Sequence, residues 1–284
     1  MIMAIAPWFG SKRTLSPKII TALGKHSSYW EPFCGSMAVL LAKPPSSFEL
    51  VNDLHGDLIN LALVIQNEEL ATQLYSIASR TLCHEEILQE SRQRLQGMNP
   101  PNETAPDVYR AAAYLIISWL GMNGIAGTEG CEFRGAFAVR WNNNGGNSAT
   151  RWRSVTESIP DWHHRLRNVQ IIRRDGFAVL ESIKDADGAV IYVDPPYITK
   201  SAKYLYDFNS DDHTRLSQLL NTRFKKARVV VSYYAHEQLV EYYQPHLWSM
   251  IDCTSDKKMT HTTDKKEKSE SPEVLLVNRM VEDI

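Results

Sequence analysis

The sequence predicts an α/β fold in which a parallel sheet carries helices on its faces and a mostly helical segment interrupts it. Short apolar strands alternate with helical periodicity in residues 28–66, and the same alternation resumes after residue 169. Between these parts, apolar residues recur at helical spacing without intervening strands. Strands that alternate with helices are typical of parallel sheets, because each helix packs against a face of the sheet.

The first part of the chain contains two units of strand, turn and helix. Residues 28–33 form an aromatic-rich strand that ends in Cys34-Gly35-Ser36, and residues 37–42 have helical character. Residues 48–51 form a second apolar strand that ends at Asn52-Asp53. The helix that follows is indicated by the apolar spacing of Leu58, Leu61 and Ile65.

Residues 68–168 interrupt this pattern and are predicted to be an insertion with its own helices. Apolar residues keep helical spacing to about residue 95, residues 99–106 break the chain, and residues 109–120 form a buried helix. Residues 121–150 are rich in glycine and asparagine, and residues 133–141 are compatible with a β-hairpin.

After the insertion, five strands are predicted in residues 169–284. Their positions are 169–172, 189–193, 229–232, 246–251 and 274–277. Residues 254–271 contain five lysines and almost no apolar residue, which predicts a surface loop.

Composition excludes several classes of protein. The 284 residues are 43% hydrophobic and 23% charged, with a net charge of −2, so the chain has an ordinary globular composition and no overall basic character. The four cysteines are far apart, and we expect neither disulfides nor a metal site. The longest apolar run, Ala111–Leu120, is too short to cross a bilayer, and the first residues lack a secretory pattern. We therefore expect a cytoplasmic protein with no membrane partner.

The strongest chemical motif is Asp194-Pro195-Pro196-Tyr197, which directly follows an apolar strand. Parallel sheets bind ligands at the carboxyl ends of their strands. The two prolines restrict the backbone, so a carboxylate and a carbonyl can accept the two hydrogens of one amino group while the tyrosine stacks on its ring. Accepting both hydrogens frees the lone pair of an aromatic amine for an incoming methyl group. A Pro-Pro turn that merely ends a strand is the alternative.

Three weaker motifs are compatible with a cofactor site. The turn at Gly35 can bring backbone amides close to a cofactor. Asp53 can accept hydrogen bonds from a ribose diol, or it can cap a helix. Trp8 and Lys12 flank a Gly-Ser turn that could hold a carboxylate, with a solvated loop as the alternative. No GxGxxG motif supports a dinucleotide.

Taken in order, these motifs resemble the Dam-like (D12 class) family of N6-adenine-specific DNA methyltransferases. The resemblance covers nearly the whole chain and rests on Trp8-Phe9-Gly10-Ser11-Lys12, Glu31-Pro32-Phe33-Cys34-Gly35-Ser36, Asn52-Asp53, Asp175-Gly176-Phe177, Asp194-Pro195-Pro196-Tyr197, Ser232-Tyr233-Tyr234 and the segment at 273–278. It implies a Rossmann-like sheet that binds S-adenosyl-L-methionine and a mostly helical target-recognition insertion. Residues 1–67 and 169–284 would form the catalytic domain and residues 68–168 the insertion.

The resemblance also implies roles for individual residues. The target base would be held by Asp194, Pro195 and Tyr197. The cofactor would be bound by Trp8 and Lys12 at its methionine end, Phe33 and Gly35 in its pocket, Asp53 at its ribose, and Asp175 and Phe177 at its adenine. Asp194 would also contact the cofactor. The chain departs from the family at Met37, where a second glycine is usual, and at Tyr233, where an asparagine is usual.

Double-stranded DNA is the expected partner, with the target adenine flipped out of the stack and methylated by direct displacement. Arginines crowd residues 134–174, and asparagines and tryptophans such as Trp152 are interleaved with them. Arginine neutralises phosphate and reads guanine, and an aromatic side chain can wedge a base step. We therefore expect DNA contacts from Arg134, Arg140, Arg151 and Arg153. A solvated basic face is the alternative.

Three rival functions stay open from the sequence. A cytosine-N4 methyltransferase would use the same acceptors, although serine is commoner than aspartate at the first position of that motif. A protein or RNA amide-type methyltransferase carries asparagine in place of Asp194. A catalytically inactive DNA-binding module derived from a methylase would have no reason to retain Asp194, Lys12 and Asp53 together, and these residues favour an enzyme.

Overall fold

The computed structural model describes residues 1–8, 10–122, 136–139, 147–198, 206–253 and 272–279. The strands are β1 (Ser28–Glu31), β2 (Phe48–Asn52), β3 (Gln170–Ile172), β4 (Ala189–Val193), β5 (Arg228–Tyr234), β6 (Trp248–Asp252) and β7 (Glu273–Asn278). The helices are α1 (Ser16–Leu23), α2 (Ala38–Ala42), α3 (Gly56–Gln66), α4 (Glu68–Arg80), α5 (Glu85–Gly97), α6 (Val108–Leu120), α7 (Ser148–Leu166), α8 (Gly176–Ser182), α9 (Ser210–Arg223) and α10 (Leu239–Tyr242).

The strands form one sheet in the order β3-β2-β1-β4-β5-β7-β6. Strands β1 to β5 run parallel, while β7 is antiparallel to both β5 and β6. The first five positions follow the doubly wound order, in which the chain reverses its direction of growth between β1 and β4. This arrangement confirms the α/β prediction, and the antiparallel β7 is a feature that the sequence analysis does not foresee.

The sheet is covered on both faces, as a parallel sheet requires. Because side chains alternate along a strand, Val190 and Val230 face one hydrophobic cluster, while Ile191 and Val229 face the other. The first cluster contains residues of α1 to α7 and the second contains residues of α8, α9 and α10. Both faces of the central strands are therefore buried, which explains their continuous apolar sequences.

Helices α4 to α7, which lie in the segment predicted as an insertion, pack against one another and against α3. Their buried residues Tyr114 and Trp162 belong to the same hydrophobic cluster as the sheet residue Val190. The indole of Trp162 donates to the carbonyl of Ile2 at 2.7 Å, and that of Trp119 donates to the carbonyl of Ile5 at 3.1 Å. These bonds hold the first residues of the chain against α6 and α7.

The strands predicted from the sequence are all present, with ends that differ by at most two residues. Helix α1, which begins with Ser16-Pro17, is not predicted above. The hairpin expected in residues 133–141 lies mostly outside the described residues, and within them Phe137 forms an antiparallel bridge with Gly121. The expected surface loop at 254–271 also lies outside them. Among the helices described, none combines the length and the apolar character needed to cross a membrane.

Candidate active site

A cleft opens at the carboxyl ends of β1, β2 and β4, at the point where the strand order reverses. Doubly wound sheets bind their ligands at this switch point. The cleft has a cavity volume of about 120 Å³ and is open to solvent. Among the residues assigned to the site from the sequence, it is lined by Trp8, Lys12, Phe33, Gly35, Asp53, Asp175, Asp194 and Pro195.

Asp194 stands at the carboxyl end of β4, and both of its carboxylate oxygens have partners. The ammonium of Lys12 lies 3.1 Å from Oδ2, and the hydroxyl of Ser232 donates to Oδ1 at 3.2 Å. Burial raises the pKa of Asp194, while the charge and hydrogen bond of Lys12 act in the opposite direction. The carboxylate is thus oriented from two sides, and each oxygen keeps a lone pair for another donor.

Lys12 supplies a positive charge to this part of the cleft, although its side chain is only 5% exposed. Its ammonium donates to the carbonyl of Gly10 at 2.7 Å and lies 3.6 Å from Oε1 of Glu273 on β7. It also lies 4.8 Å from the ring centre of Tyr197, in a cation–π contact. Lys12 therefore joins Asp194, Glu273 and Tyr197. The sequence analysis does not assign Glu273 to the site.

Asp53 holds the turn that follows β1. Its Oδ2 accepts the backbone N–H of Gly35 at 2.9 Å, and its Oδ1 accepts the N–H of His55 at 2.9 Å. The side chain that caps α3 is His55, which accepts the N–H of Leu58. Asp53 is therefore not the helix cap that the sequence allowed as an alternative, and its carboxylate lines the cleft.

Gly35 and Met37 show why the turn after β1 needs an unusual backbone. Gly35 has a φ of 44°, and a β-carbon there would lie 2.9 Å from the indole nitrogen of Trp8. Met37 has a φ of 58° with a fully buried side chain, and it is the one non-glycine residue of positive φ in the described part of the chain. A left-handed methionine costs about 1–2 kcal/mol relative to glycine, the residue usual at this position of the family.

Glu31 is a cleft residue that the sequence analysis quoted within a motif but did not assign a role. It lies at the end of β1 with 2% of its surface exposed. Burial raises the pKa of Glu31 to about 8, and the nearby Asp194 acts in the same direction. The carboxyl group of Glu31 and the hydroxyl of Tyr29 interact with each other, which opposes the rise of the pKa of Glu31, although Oε2 and the phenol oxygen do not reach the geometry of an ordinary hydrogen bond. A buried carboxyl group that is so weakly bonded beside a cleft is available to a ligand group.

Aromatic rings form one wall of the cleft. Phe33 packs so closely on Gly176 that a β-carbon there would lie 2.4 Å from the ring. Phe208, which the sequence analysis missed, lines the cleft and meets Phe33 edge to face at 5.7 Å. Phe177 stacks on Phe208 with ring centres 5.4 Å apart and does not itself line the cleft. Asp175 caps α8 by accepting the N–H of Ala178.

Asn52 ties together the loops on either side of the cleft. Its Nδ2 donates to the carbonyls of Pro32 at 2.8 Å and Arg174 at 2.9 Å, and its Oδ1 accepts the N–H of Arg174 at 2.8 Å. The side chain is almost fully buried, and its amide uses both donors and its acceptor. The carboxyl ends of β1, β2 and β3 are thereby held in one arrangement.

The arginines expected to bind DNA have different surroundings. Arg134 and Arg140 lie outside the described residues. Arg151 lies over the ring of Trp119 at 4.9 Å, and Arg153 is 72% exposed, with Glu157 at 3.9 Å. Both are on the first turns of α7.

Trp152 corrects one expectation from the sequence. It is buried, and its indole donates to the carbonyl of Thr81 at 3.0 Å, so it belongs to the core and is not available to wedge a base step. Arg165 is likewise engaged, since it pairs with Glu49 through two hydrogen bonds of 2.6 and 2.8 Å. Across the described ranges, no group of three or more His, Cys, Asp or Glu side chains could hold a metal ion.

A doubly wound sheet with an acidic residue after β2 and a cleft at the switch point is typical of α/β enzymes that bind a nucleoside-containing cofactor. The particular family is shown by the comparison with family models. The chain belongs to the D12 class N6 adenine-specific DNA methyltransferases, whose model matches residues 8–261.

Curated relatives agree with this assignment. The chain is similar to the retron Ec67 DNA adenine methylase of Escherichia coli, with 27% identity over 80% of this chain and 75% of that protein. It is 26% identical to the DNA adenine methylase of Serratia marcescens, over 82% of this chain and 83% of the relative. The DNA adenine methylase of Escherichia coli strain K12 is 27% identical over 70% and 66% of the two chains. The protein is an adenine-specific DNA methyltransferase, and neither a cytosine-N4 enzyme nor an inactive module is favoured.

Proposed function

We propose that the cleft binds S-adenosyl-L-methionine, and that Asp194, Pro195 and Tyr197 present the amino group of a flipped adenine to it. The observation that carries the proposal is the position of Asp194, a carboxylate held from two sides at the end of β4. It shares one cleft with the carboxyl side chains of Asp53 and Glu31 and with an aromatic wall.

The residues present fit the parts of this cofactor. Asp53 keeps a free lone pair on each oxygen, which suits the two hydroxyls of a ribose. The ring of Phe33, with Phe208 beside it and Asp175 at the edge, suits an adenine. The weakly bonded carboxyl group of Glu31 suits the ammonium of a methionine group. Trp8 and Gly35 border the space between Asp53 and Lys12.

Two assignments implied by the family resemblance are refined in this proposal. Lys12, expected at the methionine end, has its ammonium on Asp194 and Glu273, so we place it between the methionine end and the target base. Phe177 lies behind Phe208 and outside the lining of the cleft. We therefore assign it to support of the aromatic wall, with Phe208 as the ring nearest the cofactor.

The chain's own groups act mainly by positioning and polarisation. Asp194 accepts one hydrogen of the target amino group and the carbonyl of Pro195 accepts the other, which directs the nitrogen lone pair away from the ring. Tyr197 is buried and lies outside the lining of the cleft, so its proposed stacking near the base rests on the motif alone. The cofactor supplies an electrophilic methyl group on a sulfonium. Orientation and preorganised electrostatics are sufficient for such a displacement.

The substrate is proposed to be double-stranded DNA. The target base would then leave the duplex stack to bring its amino group into a cleft of this kind. Residues 68–168 would form the target-recognition insertion of a catalytic domain made of residues 1–67 and 169–284. Arg153, which projects into solvent from α7, and Arg151 beside it are the described arginines that we assign to DNA, together with Arg134 and Arg140.

Transfer of a labelled methyl group from S-adenosyl-L-methionine to duplexes tests the proposal. One duplex would contain adenine within a single candidate recognition sequence. A second duplex of the same length would offer only cytosine as the base that can be methylated. We expect Asp194→Asn to lower the rate of transfer to adenine by at least about 100-fold, as expected for loss of a preorganised charged partner in the transition state.

Asp187→Asn is the matched control, since this exposed aspartate lies at the opposite end of β4. It should methylate adenine at the wild-type rate. Asp194→Asn should still bind the cofactor, because Asp53 and Glu31 are unchanged. Wild-type turnover in Asp194→Asn would overturn the catalytic assignment, and failure of the wild-type enzyme to transfer label from this donor would overturn the cofactor assignment.

A further inference from the structure

A chain of buried hydroxyl groups leads to the carboxylate of Asp194 from the side opposite Lys12. Tyr192, on β4, and Ser232, on the neighbouring strand β5, are both fully buried. The phenol oxygen of Tyr192 lies 2.6 Å from Oγ of Ser232, and Oγ lies 3.2 Å from Oδ1 of Asp194.

The direction of the hydrogen bonds in this chain follows from proton counting. Ser232 has a single hydroxyl proton, which an ionised carboxylate attracts more strongly than a phenol does. Ser232 therefore donates to Asp194, and Tyr192 donates to Ser232. Hydrogen bonds aligned in this way polarise one another, so the phenol strengthens the bond that reaches the carboxylate.

We propose that Ser232 and Tyr192 are positioning residues for the methyl transfer, which hold the carboxylate of Asp194 ionised and fixed in orientation through Oδ1. The proposal rests on the catalytic role proposed for Asp194. The phenol of Tyr192 does not reach the carboxylate of Asp194, so Tyr192 can influence it only through Ser232. A residue that merely packs in the core would not depend on Ser232 in this way.

Several other groups also influence the charge of Asp194. Lys12 lies on Oδ2, with Glu273 behind it. Glu31 is a further acidic group near Asp194. The phenols of Tyr197 and Tyr233 also lie close to Asp194 and are neutral, because burial raises their pKa, and Tyr197 is in addition a partner of Ser232. Burial raises the pKa of Asp194, and the Ser232 hydrogen bond opposes this effect, as does Lys12. Loss of the Ser232 hydroxyl should therefore raise the pKa of Asp194 further.

The test measures single-turnover methyl transfer at saturating cofactor and DNA between pH 5 and 8, with cofactor affinity measured separately. Saturation removes the effect of affinity on the rate, and the same profile measured in Glu31→Gln separates the ionisation of Glu31 from that of Asp194. We expect Ser232→Ala to slow transfer by about tenfold, the loss expected for one hydrogen bond to a charged group, and to move the acidic limb to higher pH. Tyr192→Phe, which keeps the ring, should show a smaller effect in the same direction.

The double variant separates positioning from packing. If Tyr192 acts through Ser232, the double variant should be no slower than Ser232→Ala alone. The inference is overturned if the double variant loses the product of the two single losses in rate. It is also overturned if Tyr192→Phe transfers methyl groups within twofold of the wild-type rate, or if the variants lose cofactor affinity and not rate. Tyr192→Phe keeps a full ring in the core and should fold. Its rate therefore still tests the inference if Ser232→Ala folds poorly.

Two control variants remove buried hydroxyls elsewhere. Ser91→Ala removes a hydroxyl that donates within α5 to Ile87, and Ser217→Ala removes one that donates within α9 to Thr214. Both should leave the rate and its acidic limb unchanged. Asp194→Asn is measured in parallel. If it is inactive while the Ser232 and Tyr192 variants match wild type, the inference fails and the proposed function stands. If Asp194→Asn is active, the proposed function itself fails.

Discussion

Removal of the Asp53 carboxylate should weaken cofactor binding without removing the cap of α3. Asp53 accepts the N–H groups of Gly35 and His55 at 2.9 Å each, while His55 caps the helix through Leu58. The carboxylate therefore has two tasks, which are to hold the turn after β1 and, by our proposal, to accept the ribose hydroxyls. Alanine at this position abolishes both, whereas asparagine keeps one oxygen as an acceptor.

The size of the effect follows from the number of bonds. Two hydrogen bonds from ribose hydroxyls to a charged group together contribute about 2–4 kcal/mol, which corresponds to a loss of affinity of about 30- to 700-fold in Asp53→Ala. Asp53→Asn should lose about half of that free energy. The two backbone N–H groups left without their acceptor should lower the free energy of unfolding by about 1–3 kcal/mol, which is measured apart from binding.

Calorimetric titration with S-adenosyl-L-methionine measures the affinity, and urea denaturation measures the stability. Asp185→Ala is the matched control, because the carboxylate of Asp185 also accepts backbone N–H groups, from Lys225, Lys226 and Ala227, but lies outside the cleft. It should lose stability and keep its affinity. The reasoning is refuted if Asp53→Ala binds within twofold of wild type, or if Asp185→Ala loses as much affinity.

Three further predictions follow from the same structure. Met37→Gly should be less destabilised than Met37→Ala by about 1 kcal/mol, because both variants empty the buried position and only glycine adopts a φ of 58° freely. Urea denaturation measures the two free energies of unfolding, and the opposite order would contradict the left-handed conformation. Since the folded pKa of Glu31 is raised to about 8, its contribution to stability is present below pH 4.5 and is lost as the pH rises towards 8. Glu31→Gln should therefore gain melting temperature relative to wild type between pH 5 and pH 8, and a difference independent of pH would show that Glu31 is ionised in the folded protein. Arg153→Ala should reduce the slope of log DNA affinity against log salt by about one unit, while Arg215→Ala, an exposed arginine on α9, should not. Equal slopes in wild type and Arg153→Ala would place the phosphate contacts elsewhere, with residues 257–268 as the next candidates.

The sequence was sufficient for the order of the strands along the chain and for the motifs at their ends. Strands such as β4 are recognisable because burial on both faces leaves a continuous apolar run, and helices such as α6 because apolar residues recur at helical spacing. Asp53 and Asp194 were identifiable because each directly follows a strand, and Gly35 because it lies in the turn after β1, where ligands bind in parallel sheets.

Partners distant in the sequence could not be predicted in the same way. Lys12 and Glu273 come from opposite ends of the chain and meet because β7 inserts beside β5, an arrangement set by packing of the whole sheet. Phe208 precedes α9 with no motif around it, and it becomes part of the cleft by contact with Phe33 and Phe177.

The directions of side chains on α7 were also decided by the tertiary structure. Trp152 and Arg165 lie in a segment whose composition suggested DNA contacts, yet Trp152 is buried against the carbonyl of Thr81 and Arg165 pairs with Glu49. Composition shows which charges and rings a segment contains. The side of a helix that is buried depends on the elements that pack against it, here α3 and α4.

The amino-acid sequence by itself determined the fold class, the family motifs and three acidic residues of the cleft, Asp53, Asp175 and Asp194, because these depend on local periodicity and on residue types at strand ends. The tertiary structure alone decided which charges and hydroxyls meet. It placed Lys12 and Ser232 on the two oxygens of Asp194, and it buried the carboxyl group of Glu31 at the cleft beside Tyr29. The physical reason is that hydrogen bonding and pKa depend on distance and burial in three dimensions, and these are set only when the sheet and its helices have packed.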